Sequence, residues 1–251
     1  MPEHPLELQR DALAVMARSS GDEIPDLLLK AWPTLSPVVR REVVTTLIRR
    51  DPWIVRLLDA VESGVVSAAE IDHLSRLRIS RRPDQKIAVR GLKLIPPVPA
   101  SSRVQIVKDY GKSLRLNGDA IRGRSVFQQN CASCHAVGGV GVDVGPQLEV
   151  YRNKNARDLL AAILDPNSVI EPRFTNYEIE TRDGESHAGI IRSESTAGIT
   201  LLQAQGMEKN ITRSEIASIR ASTLSLMPEG LEQAIDHQQM ADLIAFLKST
   251  P

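Results

Sequence analysis

Cys131-Ala132-Ser133-Cys134-His135 is the stretch on which the reading of this chain turns, because it uses both cysteines of a 251-residue sequence and one of its five histidines. Random placement would produce Cys-x-x-Cys-His in roughly one shuffled sequence in 6,000, so the spacing is read as chemistry. Structural zinc wants four protein ligands, and no second cysteine pair exists to complete the set. A redox dithiol prefers a preceding strand, whereas Asp119 to Asn130 reads as helix. Covalent attachment of a haem has neither defect. Thioethers at Cys131 and Cys134 fix the porphyrin edge, and His135, next in sequence, presents an imidazole nitrogen to the iron.

Outward from that stretch, each neighbouring signal is read for a place in the same site. The second imidazole nitrogen needs an acceptor that fixes the ring, and the loop Gly145-Pro146-Gln147-Leu148 offers the Pro146 carbonyl. Met227 is the candidate second axial ligand, since a soft, neutral thioether stabilises ferrous iron. Met207 falls in a turn after Gly206, and Met240 joins a buried stripe with Leu243, Ile244 and Leu247. His187 sits in an alternating strand and His237 at the start of the last helix, both read as structural, with a bis-histidine iron as the main alternative. Gly138-Gly139-x-Gly141 is read as a flexible loop at the haem edge rather than a phosphate loop.

Residues from about Pro5 to Ile95 predict short amphipathic helices broken by proline, glycine and serine. Leu6, Leu13, Ala14 and Met16 mark the first, and Ile24, Leu27, Leu28 and Leu29 a second ending before Pro33. Ser36-Pro37 opens a third with Val39, Val43, Val44 and Leu47 inward, and Asp51-Pro52 a fourth with Ile54, Leu57, Leu58 and Val61 inward. Gly64 is its stop, Ser67-Ala68-Ala69-Glu70 resembles a capping box, and Ile71, Leu74 and Leu77 mark another helix. Trp32 and Trp53 are read as core. The pattern suggests HEAT-like or armadillo-like repeats, with an irregular bundle as the alternative.

Prolines at 96, 97 and 99 break this pattern and place a boundary there. The expected domains are helical repeats over 1–95, a linker and connecting helix over 96–117, and a haem domain over 118–251. Within the last, more than fifty residues separate the helix carrying Leu159, Leu160, Ile163 and Leu164 from Met227. Alternation at Tyr177, Ile179 and Thr181, the Asp183-Gly184 hairpin signal, Ile190-Ile191, Ile199-Leu202, Ile211, Ile216 and Ile219 predict four or five antiparallel strands inserted at about 174–220. The fold class is therefore mainly α with a β insertion.

Gly123 and Phe127 before the cysteines, Gly145-Pro146-x-Leu148 after them, Met227-Pro228 and a final amphipathic helix together resemble a class I cytochrome c. The resemblance implies a cytochrome c fold carrying the inserted sheet, His135 and Met227 as axial ligands, and a haem pocket including Phe127, Pro146 and Leu148. It also implies terminal helices crossing at Gly123, Phe127 and Phe246. A narrower likeness is carried by Gly118-Asp119-Ala120-x-x-Gly123, Ile163-Leu164-Asp165-Pro166-Asn167-Ser168-Val169-Ile170, Asp183-Gly184, and Ser225-Leu226-Met227-Pro228-Glu229-Gly230-Leu231. From Gly118 to Lys248 the chain resembles the haem-binding domain at the C-terminal end of large proteins classed as dehydrogenases in planctomycete and verrucomicrobial bacteria. Those often carry helical repeats before that domain and a propeller-like dehydrogenase portion, which this chain does not contain.

One haem c and electron transfer with a redox protein or dehydrogenase partner are the expectations; a diatomic gas sensor with a labile sixth ligand is the alternative. Enzymatic activity of the chain by itself is not expected. Thirty-one basic and 31 acidic residues give zero formal net charge, so no global field favours nucleic acid. No apolar run approaches the roughly 20 residues of a membrane span, and the start at Met1-Pro2-Glu3-His4 reads as leaderless. Haem attachment of this type takes place outside the bacterial cytoplasm, so export to the periplasm is expected.

Overall fold

Local signals set the N-terminal helices. In the computed structural model, which describes residues 6–19, 21–97 and 102–249, Ser36 accepts the Val39 N–H at 3.2 Å and so caps α3 (Pro37–Leu47) behind its first-turn proline. α4 (Asp51–Glu62) starts with Pro52 in its first turn and stops before Gly64, whose φ of +77° is the left-handed conformation glycine tolerates. Before them run α1 (Leu6–Arg18) and α2 (Ile24–Ala31), the latter continuing into a 3₁₀ turn through Pro33 instead of stopping ahead of it. After them come α5 (His73–Ser80) and α6 (Gln85–Leu94). One core from Leu13 to Ile95 joins all six, with Trp32 and Trp53 both fully enclosed.

α5 departs from the expected stripe. Leu74 is 63% exposed, and Ser75 and Ile79 face inward. The Asp72 carboxylate accepts the Ser75 N–H at 3.0 Å, and this cap sets the helix phase one residue later than the leucines imply. Ala14 of α1 is likewise exposed.

Ser67 and Glu70 do form a reciprocal capping box, on a 3₁₀ turn rather than an α-helix. Glu70 has a second task. Its carboxylate accepts from buried Arg40 at 2.9 Å and from Trp32 Nε1 at 3.3 Å. Arg40 also donates to the Trp32 carbonyl at 3.1 Å and to the Ile219 carbonyl at 3.2 Å, so a buried charge fastens the helices to the inserted sheet. Arg41 adds a bond to the Pro172 carbonyl at 2.8 Å.

Residues 98–101 of the expected linker lie outside the described residues. The segment after them is more than a connection. α7 (Val104–Tyr110) and the 3₁₀ turn Gly111–Arg115 lay Ile106, Val107, Tyr110 and Leu114 against a second core. Arg103 is buried, donating to the Leu164 carbonyl and the Glu232 carboxylate.

That second core is built on α8 (Ala120–Asn130), α9 (Ala156–Leu164) and α10 (His237–Ser249). α8 and α10 cross where side chains are smallest: a Cβ on Gly123 would overlap the Asp242 carbonyl and lie 2.8 Å from Phe246 Cβ. Phe127 and Phe246 pack beside the crossing with centroids 5.6 Å apart and planes tilted by 47°. Asp242, almost wholly enclosed, accepts the Asp119 N–H at 2.8 Å and a two-point contact from Arg122 at 2.7 and 2.9 Å. The Arg122 guanidinium holds this carboxyl down at about 2, with burial opposing.

Five antiparallel strands form the insertion in the order β6-β5-β4-β3-β7: β3 (Asn176–Thr181), β4 (Ser186–Glu194), β5 (Gly198–Leu202), β6 (Glu208–Thr212) and β7 (Ile216–Ala221). β6 and β7 occupy opposite edges, yet only residues 213–215 join them. Flat, those edges would stand about 19 Å apart, whereas four Cα steps reach at most about 15 Å. The sheet therefore curls, closing Ile179, Ile199, Leu201, Ile211, Ile216 and Ile219 into one core. The molecule is mainly helical with antiparallel sheet, as the periodicities predict.

Candidate functional site

α8 delivers the cysteines. Its last turn passes into the motif through Cys131 N–H to Phe127 carbonyl at 2.8 Å, and the turn closes with Cys134 and His135 N–H groups on the Cys131 carbonyl at 3.0 and 2.9 Å. Both thiols and the imidazole consequently face one cavity. The chain then folds back through the hairpin β1 (Ala136–Val137) and β2 (Val140–Gly141). Gly141, at φ +97°, lets this hairpin press on the motif's backbone, since a Cβ there would overlap the His135 carbonyl. Gly138 to Gly141 thus brace the motif from behind. They do not line the cavity, correcting the expected haem-edge loop.

Gly145 brings the return segment against the imidazole, where a Cβ would stand 2.5 Å from Cε1 and 2.9 Å from Nδ1. Next to it, His135 Nδ1 lies 2.9 Å from the Pro146 carbonyl. A carbonyl only accepts, so Nδ1 carries the proton and Nε2 keeps its lone pair. Burial lowers the His135 pKa, partly offset by that bond, which favours the neutral ring. Burial first and Cys134 second push the Cys131 thiol up to about 12, and the two cysteines form no disulfide.

The cavity has a volume of about 460 Å³ and mostly apolar walls. α9 contributes Leu159 and Ile163, the sheet Ile190, and α10 Leu243 and Leu247. Pro146 and Leu148 line it. Phe127 does not: it is wholly enclosed between α8 and α10, because the helix crossing claims its ring. Met227 lines the cavity together with Ser225 and Leu226.

Among the described residues no methionine other than Met227 and no histidine other than His135 does. Met240 is packed in the second core, Met207 is 57% exposed, and Met16 packs against the N-terminal core. His187 lies 3.2 Å from the Glu185 carboxylate, while His237 stands 3.1 Å from Ser113 Oγ and packs at a tilt against Tyr110. His73 bonds the Pro97 carbonyl at 2.8 Å.

Tyr151, Phe174 and Leu226 also line the cavity, and nothing in the local pattern marks them. Tyr151 and Phe174 sit on single 3₁₀ turns, too short for periodicity to show. The Tyr151 hydroxyl donates to the Glu171 carboxylate, and burial followed by that bond pushes it up to about 12.

These donors fit a covalently bound haem: two thiols at one edge of an apolar cavity, a neutral imidazole with a free nitrogen, and a thioether among the walls. Comparison with known proteins agrees. The cytochrome c family model matches residues 120–251. A cytochrome c-553-like protein of Synechocystis sp. is 54% identical over 71 residues, covering 28% of this chain and 67% of that protein. Members of the family bind haem c covalently, transfer electrons through it and are typically exported. No helix among the described residues is long and apolar enough to cross a membrane. The chain belongs to the cytochrome c family.

Proposed function

We propose that this protein is a single-haem electron carrier in which Cys131 and Cys134 hold the haem and His135 and Met227 ligate its iron. The observation that carries the reading is that these four residues line one apolar cavity, with no second histidine or methionine among the described residues beside them. The haem supplies a one-electron ferric/ferrous couple when bound. The chain's own work is to hold that couple in place. Pro146 orients His135 and Gly145 makes room for its ring. The walls from α9, α10 and Ile190 exclude water, which favours the less charged ferrous state.

The partner in this reading is a redox protein, with the chain serving a dehydrogenase as its electron relay, in the periplasm. The N-terminal unit over 1–95 acts as a HEAT-like scaffold that docks donor or acceptor. Its packing of α1 on α3, α2 on α4 and α4 on α6 supports stacked helical layers. Stopped-flow mixing of the haem-loaded protein with reduced and oxidised mediators and candidate redox proteins tests the function. Rapid, reversible exchange without carbon monoxide binding at neutral pH is expected. No exchange with any of them, or tight carbon monoxide binding by the reduced form, overturns it.

A further inference from the structure

We infer that Asn167 is a positioning residue that clamps the loop carrying Met227 against the haem cavity. The inference rests on the ligand assignment proposed above. Asn167 follows α9, in the bend Asp165-Pro166-Asn167, and does not line the cavity. Its side chain reaches both ends of the Met227 loop. Oδ1 accepts the Ser225 N–H at 2.7 Å, and Nδ2 donates to Glu229 Oε1 at 2.6 Å.

Met227 sits midway between those anchors, two residues from each. Its own N–H donates to Ser225 Oγ at 3.1 Å, so the first anchor passes to the ligand's backbone. The amide orientation is dictated by the partners, since reversing it would set Nδ2 against an N–H and Oδ1 against a carboxylate. Glu229 is in turn 3.8 Å from Arg103, which donates to the carbonyl of Leu164, the last residue of α9. The loop is thereby referred at both ends to α9, a wall of the cavity.

Among the described residues the loop is otherwise held by the Ser222 N–H on the Asn176 carbonyl at 2.9 Å and by Leu226 packed against Val144, Ile190 and Leu202. Residues 222–230 contain no strand or helix, and Leu224 is 59% exposed. A weak iron–thioether bond on such a segment opens readily unless the backbone is held where the sulfur reaches the iron. Asn167 supplies that restraint from outside the cavity, so its replacement leaves the cavity walls unaltered.

Imidazole binding to the ferric, haem-loaded protein tests this directly, because imidazole enters only where Met227 has left, and its apparent affinity scales with the open fraction. Asn167→Ala is expected to retain covalent haem and the near-red methionine–iron band while binding imidazole about tenfold more tightly, the effect of losing about one net hydrogen bond. Asn167→Asp, which sets a carboxylate against Glu229, is expected to bind at least as tightly as the alanine variant. Combining it with Glu229→Gln restores a donor–acceptor pair and is expected to return the affinity to within about threefold of wild type, since the lost hydrogen bond is rebuilt. A merely structural role for Asn167 would not be rescued by this exchange. If Met227→Ala abolishes the band but Asn167→Ala leaves imidazole affinity within twofold of wild type, the clamp is wrong and the ligand assignment stands. If Met227→Ala leaves the band unchanged, both fall.

Discussion

Gly123→Ala adds one methyl group where α8 and α10 cross, and elementary helix energetics and the observed packing predict opposite signs for it. In an uncrowded helix alanine stabilises relative to glycine by about 0.5–1 kcal/mol. Here the new carbon would overlap the Asp242 carbonyl and lie 2.5 Å from its carbon and 2.8 Å from Phe246 Cβ, all on the backbone or first side-chain atom of the facing helix. Ordinary contact needs about 3.5 Å, so the helices must part by about 1 Å. That movement stretches the Arg122–Asp242 contacts of 2.7 and 2.9 Å and loosens the Phe127–Phe246 pair. Overpacking of this kind costs about 1–3 kcal/mol, leaving a net loss of about 1–2 kcal/mol after the propensity gain. Thermal unfolding of the haem-loaded protein, followed at the haem absorbance, should show a midpoint lowered by roughly 2–8 °C. Gly111→Ala is the control, since nothing lies within 4 Å of its Cβ position and its backbone is right-handed, so the midpoint should hold or rise. A raised midpoint for Gly123→Ala would refute the claim that close backbone approach holds this crossing.

Gly145→Ala should displace the His135 ring from the Pro146 carbonyl, lowering the yield of covalent haem and broadening its spectrum; an unchanged yield and spectrum would show that the ring has room. Glu70→Ala leaves buried Arg40 uncompensated and should cost about 3–5 kcal/mol by denaturant unfolding, whereas Arg40→Met with Glu70→Leu should recover most of that; equal losses would contradict the pairing. Asp242, held at about 2 by Arg122, contributes stability that is complete above the unfolded carboxyl value near 4 and is lost as pH falls toward 2. Asp242→Asn should therefore lower stability at pH 7 and flatten its decline between pH 4 and 2, and an undiminished decline would assign the acid sensitivity to other carboxylates.

Where one residue's chemistry fixes its partner, the sequence was readable. The need of His135 for an acceptor pointed to Pro146, which lies 2.9 Å away, and strand alternation with Asp183-Gly184 pointed to the β3–β4 hairpin. Legibility fails where position depends on distant packing. Phe127 and Phe246, 119 residues apart, are matched to the helix crossing through the family resemblance alone, and their contact there keeps the Phe127 ring out of the cavity to which that resemblance also assigns it. Leu74 outranks Ser75 in hydrophobicity, yet the Asp72 cap turns it to solvent. Arg103 reads as part of a linker until the Leu164 carbonyl and Glu232 approach from elsewhere in the chain. Asn167 stood in a recognisable run without a role, because its partners Ser225 and Glu229 lie about sixty residues away and only the fold brings them together.

Absorbance spectra of the protein produced with an export signal and haem-attachment machinery, wild type beside Met227→Ala, test the central claim most directly. A covalently bound haem whose weak ferric near-red band disappears in the variant is the predicted result. Covalent haem with an unchanged band would contradict Met227 as ligand, and absence of covalent haem under competent maturation would contradict attachment at Cys131 and Cys134 altogether.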